Sequence, residues 1–468
     1  MKNIIFSKAN IYLIILFSFL ISILVSFNYV SKYDEYRFAK DLDRMEHPMI
    51  KVAVYNQWHQ ANKLIEDIKN HKNYFESGGD YDEFLPQRIL ATFYTLIDEE
   101  IFEKDEILKT NNGKLLYLII KTLLYYLSLV FLFSKIKSLY PIKTCFFIIL
   151  FLSFEPTIFQ YHSSFWNESL FFPFQIIMMS LLLSQSTSFL NNLILGLVLG
   201  VMYSISSEVF FYFIPIIFYL IFAFQIKSIK PIFAFFTGYC IIMATISFHN
   251  FKRVENPYFM TNGSKTALYL YFAPHVLSIK DNISINEAQK KMQQETKTWL
   301  KENDLNLEFS NDRFITLGRT GNDSDRFLYY NYLSKASLDI IIKNPFSTLN
   351  FIFKKNLHTL VVDPFFIKNF YKYDSRGKNQ YYNTQIHKKL IPYRIFYTIL
   401  IYFIAVIGFF YLLKRPKKEL IFILVLLIIY PIFVLGWMGA NRYFVPSLIF
   451  LSIFFGNGIS IFFKSSKY

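Results

Sequence analysis

The stretch IYLIILFSFLISILVSF at residues 11–27 decides the class of this protein. No charged side chain interrupts it, and the run LIFILVLLIIYPIFV at 420–434 repeats the pattern near the other end of the chain. Runs of this length fit a lipid bilayer better than the core of a soluble protein. Hydrophobic residues make up 53% of the 468 positions and charged residues 18%, below the roughly 25% of soluble domains. The sequence therefore predicts an all-α polytopic membrane protein and excludes a disordered, collagen-like, coiled-coil or disulfide-stabilised chain.

About ten transmembrane helices are predicted by extending this reading along the chain. Their ends are good to a few residues, and the segments are 9–29, 114–134, 144–161, 168–186, 192–207, 209–226, 231–249, 393–413, 419–437 and 442–463. Lys2 and Lys8 precede the first segment, and no small-x-small cleavage site follows it. These features are typical of an uncleaved signal anchor.

The positions of the residues that give the chain its net charge of +15 indicate its topology in the membrane. Positive charge in short loops marks the cytoplasmic side of a membrane protein. The basic residues of this kind are Lys135, Lys137, Lys143, Lys227, Lys230, Lys414, Arg415, Lys417 and Lys418, and Lys464 and Lys467 follow the last span. Both termini are therefore predicted to be cytoplasmic, and the long segments 30–113 and 250–392 to lie outside. Because this rim accounts for most of the excess charge, no nucleic-acid partner is expected.

The predicted spans divide the chain into four parts. Residues 1–249 form a transmembrane module whose first outer loop is 30–113, and 250–344 form an α-rich extracytoplasmic insert. Residues 345–392 hold an interfacial helix and an outer loop, and 393–468 hold the last transmembrane helices.

The apolar segment 345–366 is predicted to lie on the outer membrane surface rather than to cross the bilayer. Lys354, Lys355 and His358 interrupt it, and a further span would move the basic loop before Glu419 to the outside. Its apolar residues Phe351, Phe353 and Leu357 are weakly helical in spacing, which favours an amphipathic helix.

Ionisable residues gather at the outer ends of the predicted spans. Asp34 and Glu35 follow the first span directly, and Lys121 lies one or two turns inside the second. The others at outer ends are Glu155, Glu168, Glu208 and Arg442. An ion-coupled transporter normally places such groups near the bilayer midplane. The pattern instead indicates chemistry at the outer membrane–water boundary.

Three short motifs carry these residues. They are Tyr33-Asp34-Glu35-Tyr36-Arg37, Asn167-Glu168-Ser169 and Asn441-Arg442-Tyr443-Phe444-Val445-Pro446. Taken singly, they read as a solvated charged stretch, an acid at a helix N-terminus and an interfacial anchor.

Together the motifs resemble those of the GT-C glycosyltransferases, in the branch of the protein O-mannosyltransferases and lipid A aminoarabinose transferases. The stretch from Phe151 to Pro156 followed by Trp166-Asn167-Glu168 is similar to that family's helix ending in Ser-x-x-Pro and resuming at an acid. Two departures stand out. Asn441 replaces the acid before Arg-Tyr, and the family's His-Pro-Pro is reduced to His47-Pro48-Met49.

The resemblance implies a GT-C-like fold and an inverting hexosyl- or pentosyltransferase. Its donor would be a polyprenyl-phosphate-linked sugar, and its acceptor a glycan, lipid or protein. Asp34 would be the general base with Glu35 as the fallback, and Glu168 would position the acceptor or a metal. Arg37 and Arg442 match phosphate-binding positions. Charge and location add Lys354, Lys355 and Arg253 for the phosphate, and His162 for the sugar. No metal ligands are assigned, and a divalent metal is left open.

Other classes remain as alternatives. They are an O-antigen polymerase-like or ligase-like enzyme, a polysaccharide or lipid transporter, and a non-catalytic membrane scaffold. The abundance of Lys, Asn, Ile, Phe and Tyr is typical of an AT-rich genome and favours the inner membrane of a bacterium, with the active site on the outer side.

Overall fold

Helices account for the secondary structure of the described chain. A computed structural model describes residues 6–37, 61–70, 84–97, 112–162, 168–255, 262–305, 323–359, 385–414, 418–435 and 445–463. Five of the described helices are long and apolar enough to cross a membrane: Lys8–Phe27, Leu115–Ile136, Ile229–Lys252, Lys389–Leu413 and Val445–Phe462. Five shorter apolar helices lie between them in sequence: Ile142–Phe154, Ser169–Ser184, Phe189–Ile205, Val209–Phe224 and Glu419–Pro431. The chain is a multi-pass membrane protein, while the number of ten spans stays a prediction.

The helices are labelled here in chain order. The N-terminal part contains α1 Lys8–Arg37, α2 61–69, α3 Phe84–Leu96, α4 Asn112–Ile136, α5 Ile142–Phe154, α6 Pro156–His162, α7 Glu168–Ser184, α8 Phe189–Ile205, α9 Phe213–Phe224 and α10 Ile229–Val254. The insert contains α11 Asn262–Ala267, a π-helix Leu268–Phe272, α12 Ala273–Asp281, α13 Ile285–Glu302 and α14 Asp323–Lys343, and α15 Pro345–Thr359 follows it. The last helices are α16 Gln385–Leu413, α17 Lys418–Leu435 and α18 Val445–Phe462.

One predicted span is broken in the structure. The segment 144–161 forms α5 and α6, with Glu155 between them in an extended conformation. Pro156 explains the break, because its ring disfavours helical geometry at the preceding residue and it lacks the N–H that would continue the helix. Both Pro156 and the Glu155 carboxylate suit a new helix start.

The first membrane helix runs antiparallel to α4. The Ser22 hydroxyl lies 2.6 Å from the Tyr126 hydroxyl, and the Tyr12 ring lies 5.4 Å from that of Phe133. Moving forward along α1 therefore corresponds to moving backward along α4. As a result, the end of α1 that carries Asp34 and the start of α4 share one end of the bundle.

Two helix pairs approach so closely that only glycine fits at the contact. A Cβ added to Gly196 of α8 would lie 1.9 Å from the Phe235 carbonyl oxygen of α10. A Cβ added to Gly408 of α16 would lie 1.8 Å from the Phe454 carbonyl oxygen of α18. Small residues at helix contacts are the usual way in which membrane helices pack backbone against backbone.

The insert forms a small helical domain with its own core. The Tyr269 hydroxyl lies 2.6 Å from the Thr296 hydroxyl, and burial raises the pKa of Tyr269. Helix α13 begins with a capping box, in which the Glu287 carboxylate accepts a hydrogen bond from the Ser284 backbone N–H. That bond and the Ser284 hydroxyl lower the pKa of Glu287. The helical start at Ile285 follows directly from these local residues.

Helix α15 does not place the apolar residues of the predicted interfacial segment on a single face. Phe351 is 2% exposed and Phe353 is 59% exposed. Two residues apart on a helix, they point to nearly opposite sides. The side chain of Phe351 packs on Phe272 and His275 of the insert. Leu357 has no described side chain, and residues 360–366 lie outside the described ranges.

Candidate functional site

The predicted catalytic acids lie on helix ends that share one end of the bundle. Asp34 and Glu35 belong to the last turn of α1, with Arg37 as its final residue, and Glu168 is the first residue of α7. Only the backbone of these residues is described. Ser22 of α1 and Tyr126 of α4 lie at the same level of the bundle, because their hydroxyls are in contact. Counted from that level at ~1.5 Å per residue, the Asp34 backbone lies about 10 Å closer to this end of the bundle than the Lys121 backbone does.

The other predicted binding residues are more dispersed. His162 ends α6 and Arg253 lies in the last turn of α10, again with only the backbone described. Lys354 is exposed on α15, and Lys355 follows it without a described side chain. Arg442 lies outside the described residues. Lys354 is therefore in a different environment from the buried polar groups of the membrane helices, because its side chain is exposed.

A buried lysine of α4 contacts Ser169, the residue that follows Glu168 in the chain. The Lys121 Nζ donates a hydrogen bond of 2.6 Å to the Ser169 hydroxyl, and the two residues are 2% and 1% exposed. The same Nζ lies 4.8 Å from the centre of the Tyr117 ring. Because Ser169 follows Glu168 in the first turn of α7, this bond joins α4 to the helix end that carries the predicted acid.

Glu155 has a structural role at the start of α6. Its Oε2 accepts a hydrogen bond of 2.7 Å from the Ile158 backbone N–H, so the carboxylate caps α6. One turn earlier on α5, the Leu152 carbonyl accepts a 2.6 Å hydrogen bond from the Tyr125 hydroxyl. The Glu155 side chain is 2% exposed and holds the broken segment in place. A buried carboxylate capping a helix is stabilising there because of the helix dipole.

A buried arginine lies where α3, in the predicted first outer loop, packs on the bundle. Arg88 of α3 is 3% exposed, and its Nη2 lies 3.2 Å from Nδ1 of His249 near the end of α10. The Arg88 guanidinium also lies 3.9 Å from the centre of the Phe84 ring. The centres of the Phe84 and His249 rings lie 5.2 Å apart. Because arginine only donates hydrogen bonds, Nδ1 of His249 accepts and the imidazole carries its proton on Nε2.

Aromatic contacts link the two cations. Phe93 lies on α3 with Arg88, and its ring lies 6.2 Å from that of Tyr117, the residue that contacts Lys121. A ring contact therefore joins helix α3, which carries Arg88, to the side of α4 that carries Tyr117 and Lys121.

Sequence reasoning noted Lys121 without assigning it a role and did not identify Arg88 or His249. The available signal was an arginine inside the apolar helical stretch 84–96 and a histidine at the end of a predicted span. Nothing in the sequence connects them, since they are 161 positions apart.

The described residues contain no group of three His, Cys, Asp or Glu side chains close enough to hold a metal ion. The side chains of Asp34 and Glu168 are outside that search.

We expect Lys121→Met to lower the melting temperature of the detergent-solubilised protein by several degrees. The change leaves the Ser169 hydroxyl buried without its hydrogen-bond donor, at a cost of about 2 kcal/mol. Lys137→Met is the matched control, because Lys137 is exposed just beyond the other end of α4. Equal melting temperatures for the two variants would show that the Lys121–Ser169 hydrogen bond does not contribute to the stability of the protein.

Comparisons with known proteins return solved structures at low sequence identity. The oligosaccharyltransferase of Archaeoglobus fulgidus in the apo form is 13% identical with a TM-score of 0.45, covering 96% of this chain and 50% of that one. Its complex with an inhibitory peptide and a dolichol-phosphate is 13% identical with a TM-score of 0.47, with the same coverage. The chain thus spans about half the length of these solved structures. No family model and no curated protein matches the chain.

Proposed function

We propose that this multi-pass membrane protein is a glycosyltransferase of the GT-C type. It moves a sugar from a polyprenyl-phosphate-linked donor to a glycan, lipid or protein acceptor at the outer face of a bacterial inner membrane, with both termini in the cytoplasm. The observation that carries the proposal is the buried Lys121–Ser169 bond beside Glu168, at the bundle end that also bears Asp34. Ionisable groups inside membrane segments are costly and mark functional sites.

The reaction requires a base and fixed cations at the same boundary. The acceptor hydroxyl or amine attacks the anomeric carbon, and the bond from that carbon to the phosphate oxygen breaks with inversion. Asp34 takes the acceptor's proton as general base, with Glu35 next to it, and Glu168 positions the acceptor. The lipid phosphate leaves with the bonding electron pair and needs cations that are already in place.

The basic residues proposed for that phosphate form three groups. Arg37 and Arg442 are proposed from the sequence motifs, and Arg253, Lys354 and Lys355 from charge and location. Lys121 and Arg88 are added because both are buried at the outer end of the membrane helices. His162 remains a candidate for the sugar, and a divalent metal is compatible with Glu168 as one ligand.

The proposal is tested by deleting the gene from its host and profiling envelope glycans and lipid extracts by mass spectrometry. We expect one sugar to disappear from a glycan, lipid or protein, and a polyprenyl-phosphate-linked monosaccharide to accumulate. In spheroplasts this sugar should be accessible to an impermeant oxidant such as periodate, because the donor waits at the outer face.

The same experiment separates the alternatives. A lipid-linked sugar protected from periodate would indicate a transporter, and accumulation of lipid-linked oligosaccharide units would indicate a polymerase or ligase. Either result, or an unchanged glycan and lipid profile, would refute the proposal. Restoration by the wild-type gene and by Asp339→Asn, an exposed acid of the insert, is the control for complementation.

A further inference from the structure

Two aromatic side chains of the insert stack on each other at its surface. The rings of Trp299 on α13 and Tyr332 on α14 have centres 4.1 Å apart, and their planes differ by 12°. Both side chains are half-buried, so they pack on the core of the insert and remain partly accessible to solvent. Tryptophan and tyrosine offer a large, rigid contact area at a low cost in conformational entropy. The stack is therefore suited to contact a ligand.

The two rings are held in place from both helices. In the last turn of α13, the Asn303 amide donates a hydrogen bond of 2.8 Å to the Trp299 carbonyl. The Tyr332 hydroxyl lies beside the Thr296 hydroxyl. Thr296 is in turn 2.6 Å from the Tyr269 hydroxyl in the core of the insert. The orientation of the stack is thus set by the fold before a ligand binds.

Polar groups that are open to a ligand surround the stack. Burial raises the pKa of Tyr332, and the nearby carboxylates of Glu295 and Glu302 raise it further. Both acids are exposed on α13, and neither forms an ion pair within the described residues. The Trp299 indole N–H donates no hydrogen bond to a residue that the structure describes. The surface thus combines a hydrogen-bond donor, carboxylate acceptors and flat apolar rings.

This combination is complementary to a neutral glycan. The C–H groups of a pyranose ring pack on the face of an aromatic ring, whose quadrupole is negative there. The sugar hydroxyls donate hydrogen bonds to carboxylates, and the sugar oxygens accept them from an indole N–H. Two carboxylates disfavour an acidic glycan or a phosphate, because like charges placed in contact repel each other.

We propose that the Trp299–Tyr332 stack is a binding site for a neutral glycan. Glu295 and Glu302 accept hydrogen bonds from its hydroxyls, and the Trp299 indole donates one to a sugar oxygen. Helix α14 also contacts the membrane helix α10, which connects the site to the membrane bundle. The inference rests on the proposed function in one respect, namely that the bound glycan is the acceptor of the transferred sugar.

The test is saturation-transfer difference NMR on the full-length protein in nanodiscs, with no lipid-linked donor present. The probes are oligosaccharides released from the envelope of the host and separated into a neutral and an acidic fraction. We expect transfer to the neutral fraction, and a several-fold weaker signal for Trp299→Ala. Lys297→Ala is the matched control, because Lys297 is exposed on α13 and two residues from Trp299, so that it points to nearly the opposite side.

Two further variants leave an aromatic stack in place. Trp299→Phe keeps a ring on Tyr332 and removes the indole donor, and the double variant Glu295→Ala, Glu302→Ala removes the acceptors. Both should weaken the signal of the neutral fraction while the melting temperature stays close to that of the wild type. These variants keep the result interpretable if Trp299→Ala destabilises the insert.

Three results would overturn the proposal. They are no transfer to the neutral fraction, signals that are equal in the wild type and all these variants, and a stronger response to the acidic fraction or to a peptide digest of host envelope proteins. Binding is measured without catalysis, so its failure is distinct from a failure of the proposed function. Neutral-glycan binding that depends on Trp299 would support the site even if deletion of the gene left the glycans of the host unchanged.

Discussion

The Asp34→Asn protein is expected to transfer sugar at least about a hundredfold more slowly than the wild type, the lower bound for losing a general base. The loss should appear in kcat with little change in KM, because the base acts in the transition state rather than in donor binding. The assay uses membranes of the deletion strain, which contain the accumulated donor, with each variant supplied at matched expression. It measures release of the lipid phosphate and labelling of the acceptor.

Two control variants, Glu35→Gln and Asp339→Asn, test whether the loss of rate is specific to Asp34. Glu35→Gln should retain most of the rate if Asp34 is the base, and a reversal of the two effects would move the assignment to the neighbouring residue. Asp339→Asn reports any general effect of removing an acid on the outer side, since Asp339 is exposed on α14. If Asp34→Asn keeps the wild-type rate, the general base lies elsewhere and the motif after the first span is a charged connector.

The Gly408→Leu protein should fail to form a stable bundle. Any side chain at Gly408 meets the Phe454 carbonyl oxygen and the Gly458 backbone N–H, which a Cβ would approach to 1.8 Å and 2.6 Å. Backbone atoms cannot move aside independently, so α16 and α18 must separate. The expected destabilisation is more than about 3 kcal/mol, beyond the usual range for overpacking.

The measurement is the yield of monodisperse protein after detergent extraction and size-exclusion chromatography. Val406→Leu is the matched control, because Val406 is 50% exposed two residues earlier on the same helix. We expect normal yield for Val406→Leu and little or no monodisperse material for Gly408→Leu. Normal yield for both variants would mean that the close approach of α16 and α18 is not required for folding.

The positions of the membrane helices were predictable from the sequence, because each depends on local composition. A segment in lipid must satisfy its own backbone hydrogen bonds, so an apolar run becomes a helix wherever it occurs. The helix over Lys8–Arg37 and the one over Ile285–Glu302 follow from apolar length and from a capping box. The break at Pro156 was also readable from the sequence, although the segment was treated as one span.

The candidate site was only partly predictable. Asp34, Glu168 and Arg442 were identified by motifs at span ends, and their roles stay predictions. The weak apolar spacing of α15 does not tell which of Phe351 and Phe353 packs on the insert. Arg88 and His249 were missed, since the outer loop that brings Arg88 to the bundle has no signal for where it docks.

The sequence by itself determined that this protein is a bundle of membrane helices, and it predicted the sidedness and the acids that end the helices. The charge of a short loop and the length of an apolar segment are local properties of the sequence. They do not depend on how the helices are arranged. Only the tertiary structure decided that Lys121 meets Ser169 across 48 positions and Arg88 meets His249 across 161. Such pairs depend on which helices pack together, and packing is set by shape complementarity between helices, such as the glycine contact of α16 with α18, rather than by local periodicity.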